Sequence, residues 1–325
     1  MFTKVLIPLD GSTIAEEALG PAADIARAAH AGLDLVLVHQ PWAFSELADA
    51  AWQANVVNSE RAYVASTAQE LAKGASLTVS STVLSALPVD GICTRAKEVG
   101  ANLIVMTSHG RTGLSRSWLG SVAHGVIRQS RIPVLMLRPA DSARRPLRRP
   151  PSIKRVLVTL DGSSLSEVIL EPASALARAF DARLILLRVV EPIPLVLPEV
   201  VLPVRNMPRD DAATADAAER AAAELAEICK RLKEDGFSRV EPHVIVDDRV
   251  AKAILDFARS VSPSVIAMST HGRGASRLFL GSVSDKVLRG STRPMLLCRP
   301  DAVQLEPALI DEAGVASQLQ SLGCP

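Results

Sequence analysis

Leu103-Ile104-Val105-Met106-Thr107-Ser108-His109-Gly110-Arg111-Thr112-Gly113-Leu114-Ser115-Arg116-Ser117-Trp118-Leu119-Gly120-Ser121-Val122 decides the reading of this chain. Leu103 to Met106 is a short apolar run of the kind that forms a buried strand. Beyond Val122, the apolar residues Val126 and Ile127 recur at helical spacing. A strand therefore ends, a glycine-bearing loop follows, and a helix begins at Gly120-Ser121. A helix start presents unpaired backbone N–H groups and the positive end of its dipole, which suits an anion such as phosphate. Glycines let the backbone approach that anion closely. The device then recurs: Val265-Ile266-Ala267-Met268 leads into Ser269-Thr270-His271-Gly272-Arg273-Gly274, and the loop closes with Gly281-Ser282-Val283. One glycine loop is a weak signal, but two copies in the same context are a strong one.

The duplication extends over most of the 325 residues and predicts two similar domains. Val5-Leu6-Ile7-Pro8-Leu9 is an apolar strand ended by Asp10-Gly11-Ser12, where Ser12 or Thr13 can cap the next helix. That helix is expected to run from Ala15 to Ala26. Strands follow at Leu33–Val38, Leu77–Val83, Leu103–Met106 and Pro133–Leu137. Helices are expected within 41–73, after an irregular entry carrying Trp42 and Phe44, and at Val89–Val99. The second half restarts at Val156-Leu157-Val158-Thr159-Leu160-Asp161-Gly162-Ser163. It repeats the order with strands Leu184–Val190, Val240–Val246 and Met295–Cys298 and helices Ala212–Glu234 and Ala251–Ala258. Strands alternating with helices, most of them apolar on both faces, are the pattern of a parallel sheet covered on both sides. The predicted domains are 1–139 and 155–300. Between them, 140–154 is an Arg- and Pro-rich connector whose charge suits either solvent or an acidic partner. Residues 301–325 read as a tail. The last strand of each half is apolar and ends against Arg-Pro, so 134–137 and 295–298 are expected to lie against each other as an internal pseudo-dimer.

Composition excludes several classes. A net charge of +1 gives no electrostatic footprint for nucleic acid or a membrane surface. No apolar run approaches the ~20 residues of a membrane span. The four cysteines are scattered without a CxxC and read as reduced, buried thiols. The chain opens on a strand without a secretory leader, so the expected compartment is the cytoplasm. There is no GxxxxGK[ST], GxSxG or HExxH motif, and no paired Cys/His metal set. No residue is an evident general base, which argues for binding more than for catalysis.

In an open parallel sheet, ligands sit outside the carboxyl ends of the strands, where strand order reverses. The residues expected there are Asp10 with Thr107–Gly110, and Asp161 with Ser269–Gly272. A carboxylate accepts hydrogen bonds from a base amino group or a ribose hydroxyl, while a glycine loop holds phosphates; together they suit a nucleotide. The same aspartates suit a helix cap, and both roles can coexist. His109 and His271 either fix the loop through backbone hydrogen bonds or donate to phosphate. Arg111 and Arg273 are candidates for charge pairing with phosphate. At Ser121 and Ser282, capping and phosphate contact are hard to separate.

On the Asp-Gly-Ser turns, the two glycine loops closing in Gly-Ser-Val, and the final Pro-Val-Leu-Met-Leu-Arg-Pro and Pro-Met-Leu-Leu-Cys-Arg-Pro, the chain resembles the universal stress protein family in its tandem form. The resemblance implies a Rossmann-like sheet ordered 3-2-1-4-5 in each half, with helices on both faces. It implies ATP or another adenine nucleotide as ligand, with or without Mg, and a regulatory role in stress response, with ATP hydrolysis slow at most. By that resemblance Asp10 and Asp161 hold the adenosine part. Gly110, Gly120 and Ser121, with Gly272, Gly281 and Ser282, hold phosphate. Pro8, Leu9, Met106, Ser108, Gly113 and Val122, with Thr159, Leu160, Met268, Thr270 and Val283, complete the implied pockets. Gln40 and Val189 are expected to occupy matching positions on the adenine wall. The family pattern begins on a glycine that is Thr107 here and Ser269 in the second half. The second loop is also one residue shorter, which predicts weaker phosphate binding there. A regulatory protein partner and a homodimer are compatible with the same family. The alternatives are an interaction protein with vestigial pockets and a slow ATPase.

Overall fold

The computed structural model describes residues 1–40, 50–73, 77–108, 119–138, 153–195, 208–271 and 281–300. In chain order the elements are β1 (Lys4–Leu9), α1 (Thr13–Glu16), α2 (Leu19–Ala29), β2 (Gly32–His39), α3 (Ala50–Lys73), β3 (Val79–Ser85), α4 (Pro88–Glu98), β4 (Leu103–Thr107), α5 (Ser121–Gln129) and β5 (Val134–Leu137). They continue with β6 (Arg155–Leu160), α6 (Ser164–Glu167), α7 (Leu170–Ala179), β7 (Arg183–Val190), α8 (Asp211–Glu234), β8 (Val240–Val246), α9 (Val250–Val261), β9 (Val265–Ser269), α10 (Ser282–Gly290) and β10 (Met295–Cys298). This is the α/β architecture expected from the alternation. The connector, the tail, Trp42 and Phe44 lie outside the described residues. Among the described residues no helix is long and apolar enough to cross a membrane.

The chain divides into two compact units, the first built from 1–153 with 178–181 and 292–299, the second from 154–177 and 182–291. In the first, β2, β1, β4 and β5 follow β3 in the order 3-2-1-4-5, all parallel. β10 joins this unit antiparallel to β5, with Leu296 opposite Leu135. The expected apposition of 134–137 and 295–298 is thus present, and it covers the edge that β5 would otherwise expose. In the second unit β8, β7, β6 and β9 are parallel neighbours in that order. Central strands are buried along their length, with Val5, Leu6, Ile7, Val156, Leu157 and Val158 fully inaccessible.

The first helix of each half is broken, where the sequence pattern predicts one continuous helix. Pro21 has no N–H to donate to the carbonyl of Glu17, and its ring crowds that carbonyl. The chain therefore stops α1 at Glu16, turns through Ala18, and restarts at Leu19. Pro172 imposes the same break between α6 and α7.

One buried charge lies in the first unit's sheet. Asp34 on β2 is fully inaccessible, and Arg95 of α4 donates to both of its oxygens at 3.0 and 2.9 Å. Ser80 Oγ donates to Oδ2 at 2.6 Å. The bond to Asp34 is also the main reason that the Arg95 guanidinium pKa is raised. The second unit places Ile185 at the same register position, so the fold itself does not require a carboxylate there. Removing one partner strands a buried charge, whereas replacing the pair by apolar side chains does not. Arg95→Met is therefore expected to cost about 3–5 kcal/mol in denaturant unfolding followed by circular dichroism. The double change Asp34→Ile, Arg95→Met is expected to recover most of that loss.

Candidate functional site

The site begins with two identical turns. After β1, Asp10 Oδ1 accepts the Ser12 N–H at 2.9 Å and the Ser12 hydroxyl at 2.6 Å. Ser12 Oγ in turn accepts the Ala15 N–H at 3.2 Å and so caps α1. Asp161, Ser163 and Ser166 repeat the arrangement at 2.9, 2.6 and 3.2 Å after β6. Gly11 and Gly162 cross the turn at φ +81° and +82°, a left-handed conformation that favours glycine. The capping residue is therefore the serine; the aspartate locks that serine in place and is itself half-buried at the strand end.

The second component is a bare helix start. Gly120 and Gly281 are the N-cap residues of α5 and α10, and neither helix is capped by a side chain. Ser121 and Ser282 are the first helical residues, not caps. Each glycine N–H donates back to the preceding strand end, Gly120 to Ser108 O and Gly281 to Thr270 O, both at 2.8 Å. This closes the loop and fixes the helix start beside the strand. A Cβ on Gly281 would lie 3.1 Å from the Thr270 carbonyl, so the approach leaves little room for a side chain.

In the second unit these parts line one cleft of about 670 Å³. Thr159, Leu160 and Asp161 come from the end of β6, Val189 from β7, and Met268 and His271 from the end of β9. Gly281, Ser282 and Val283 form its helix-terminus end. Thr270 is buried behind the cleft wall, and its Oγ1 lies 2.9 Å from His271 Nδ1. The His271 N–H reaches Ser269 Oγ at 3.4 Å, which ties this histidine to its own strand end. In the first unit Pro8 and Leu9 end β1 and lead into Asp10, Met106 and Ser108 are buried at the end of β4, and Gly120, Ser121 and Val122 open α5. His109, Gly110, Arg111, Gly113, Gly272 and Arg273 lie outside the described residues. Among the described residues no group of three or more His, Cys, Asp or Glu is placed to hold a metal.

One expected equivalence is corrected by register. Leu9 pairs with Leu37 and Leu160 with Arg188, so the counterpart of Val189 is Val38, and Gln40 corresponds to Glu191. Gln40 is exposed beyond the end of β2, while Val38 packs against Gly91 of α4. The first half has kept its valine.

The same register reveals charged residues that the sequence reading passed over. Arg188, in the place of Leu37, is nearly buried and paired with Glu224 of α8. In the first unit Tyr63 occupies the place of Glu224, as the fourteenth residue of an equally long helix, and its hydroxyl donates to Glu16 Oε1 at 2.8 Å. Beside it His39 Nδ1 meets Glu60 Oε2 at 2.9 Å. Arg188 interrupts an apolar run, which is the signal that could have found it.

The universal stress protein family model matches residues 1–138 and again 152–299. This chain belongs to the universal stress protein family. A universal stress protein of Mycobacterium tuberculosis is 33% identical over 225 residues, spanning 69% of this chain and 70% of that protein. One of Bacillus subtilis is 31% identical over 153 residues, covering 42% of this chain and all of the shorter protein. Among solved structures, a universal stress protein of Archaeoglobus fulgidus superposes with a TM-score of 0.66 at 22% identity, over 91% of this chain and 98% of its own. That likeness supports the tandem universal stress fold.

Tyr63 reports on the first site. Burial chiefly, with Glu16 next and Asp10 contributing, raises its phenol above the ordinary value near 10. It is the single tyrosine of the chain, so alkaline titration at 295 nm reads it alone. The absorbance step is expected well above pH 10, and Glu16→Gln is expected to move it down. Because the unfolded phenol ionises near 10, native stability is expected to fall as pH rises above that value.

Proposed function

We propose that each half binds an adenine nucleotide, ATP foremost, and that occupancy serves regulation instead of turnover. The observation that carries this reading is the second-unit cleft. There an uncapped helix start, Gly281-Ser282-Val283, faces the same space as the Asp161 carboxylate. Backbone N–H groups with the helix dipole suit phosphate. The carboxylate suits a ribose hydroxyl or base amino group, and Val189 with Met268 offers apolar wall to a base. A cleft of this size is within the range of small-molecule sites. In the first half Asp10, Met106, Ser108, Gly120, Ser121 and Val122 take the corresponding roles, with Val38 as the apolar wall.

Titration calorimetry of ATP into the full chain tests this. Gly281→Val and Gly120→Val each place a branched side chain where the backbone must approach phosphate. Each is expected to weaken its own site by about tenfold or more, the loss of one charge-assisted hydrogen bond or better. Circular dichroism of both variants is expected to match the parent. Failure of ATP and ADP to bind the parent would favour an interaction protein with vestigial pockets.

A further inference from the structure

We propose that the second-unit cleft selects adenine nucleotides bearing an additional phosphate on the ribose, and that Arg188 sets this preference. The inference rests on the nucleotide reading above and adds a ligand class to it.

Arg188 stands near the carboxyl end of β7 with its side chain only 11% exposed, in a strand whose other residues, past the exposed Arg183 at its start, are Leu, Ile and Val. Burying a guanidinium is costly unless a partner repays it in the same dry environment. Its partner, Glu224, is 52% exposed. A carboxylate that keeps its water is a weak return for a cation that has lost its own. The fold does not demand the pair, because the first unit completes the same strand position with Leu37.

The location of the guanidinium says what the cation is for. A Cβ on Gly162 would fall 2.4 Å from Arg188 Cζ, so the guanidinium lies flat against the turn that presents Asp161. Arg188 and Glu224 both line the cleft, and so does Arg220, one helical turn before Glu224 on α8. The first unit has Leu37, Ser59 and Tyr63 at these three places. The second cleft is therefore lined by two groups that attract anions, the start of α10 and the pair Arg188 and Arg220, and Asp161, Val189 and Met268 line it as well. A nucleotide that engages both groups carries two anionic groups on one nucleoside. Glu224 acts as an internal stand-in for the second group. Being half in water, it yields Arg188 to an incoming phosphate, which the planar guanidinium binds with two parallel hydrogen bonds. The acidic Glu191 at the rim and Asp161 face the same space, and Asp161 is engaged by Ser163.

Titration of the full chain with adenosine 3′,5′-bisphosphate, adenosine 2′,5′-bisphosphate and AMP tests the proposal. At least one bisphosphate is expected to bind about tenfold or more tightly than AMP, as one added charged hydrogen bond allows. Arg188→Leu, which installs the first unit's residue, is expected to bring that ratio close to one. Glu224→Gln releases Arg188 from its internal carboxylate and is expected to tighten bisphosphate binding severalfold. That second variant keeps the test decisive if Arg188→Leu melts early. Equal affinity of the parent for AMP and both bisphosphates would overturn the proposal while leaving nucleotide binding intact. So would a Glu224→Gln variant that binds bisphosphate no better than the parent, or Arg188→Leu lowering AMP and bisphosphate affinity alike. If neither AMP nor ATP binds at all, the nucleotide reading fails with it.

Discussion

Reversal of strand order in a parallel sheet is the constraint on which the site depends. β1 pairs with β2 on one side and β4 on the other, and β6 pairs likewise with β7 and β9. The chain leaves β1 toward one side of the sheet and β4 toward the other, so no connection covers the gap between their carboxyl ends. In the second unit the Asp-Gly-Ser turn and the bare helix start line one cleft there, and the first unit has the same turn after β1 and the same helix start after β4. The turn stays rigid because one carboxylate oxygen locks the serine that caps the next helix. The helix start stays bare because a glycine, with no side chain to cap it, stands at its N-cap.

Much of this was legible in the sequence because it rests on local rules. Apolar runs mark the strands, Asp-Gly-Ser marks the turn, and Gly-Ser-Val marks the helix start. Two kinds of error had physical causes. The continuous first helix was expected from the spacing of alanines and leucines, which does not register that Pro21 and Pro172 each remove a donor from the second turn. Sequence position alone sets Gln40 against Val189, because a strand end has no periodic marker. Only the pairing of Leu9 with Leu37 and of Leu160 with Arg188 fixes which residues correspond. Tertiary pairs were beyond reach altogether. Nothing in the local pattern says that Asp34 meets Arg95, or Tyr63 meets Glu16, across tens of residues.

The two halves share a frame and differ in its walls. Turn geometry and helix starts agree to within a tenth of an ångström in their hydrogen bonds. The side chains around them diverge: Asp34 against Ile185 inside the sheet, and Leu37 and Tyr63 against Arg188 and Glu224 at the cleft. The frame of the duplicated turn and helix start is retained while the side chains around it change charge and polarity.

Phosphate binding at the bare starts of α5 and α10 would order the backbone N–H groups there. Hydrogen exchange of the backbone amides, with and without ATP, reads them directly. Protection concentrated at residues 121–123 and 282–284, with smaller changes at the turns after Asp10 and Asp161, is the expected result. Unchanged exchange at both helix starts in the presence of saturating ATP, or protection confined to surfaces away from the strand ends, would contradict the account.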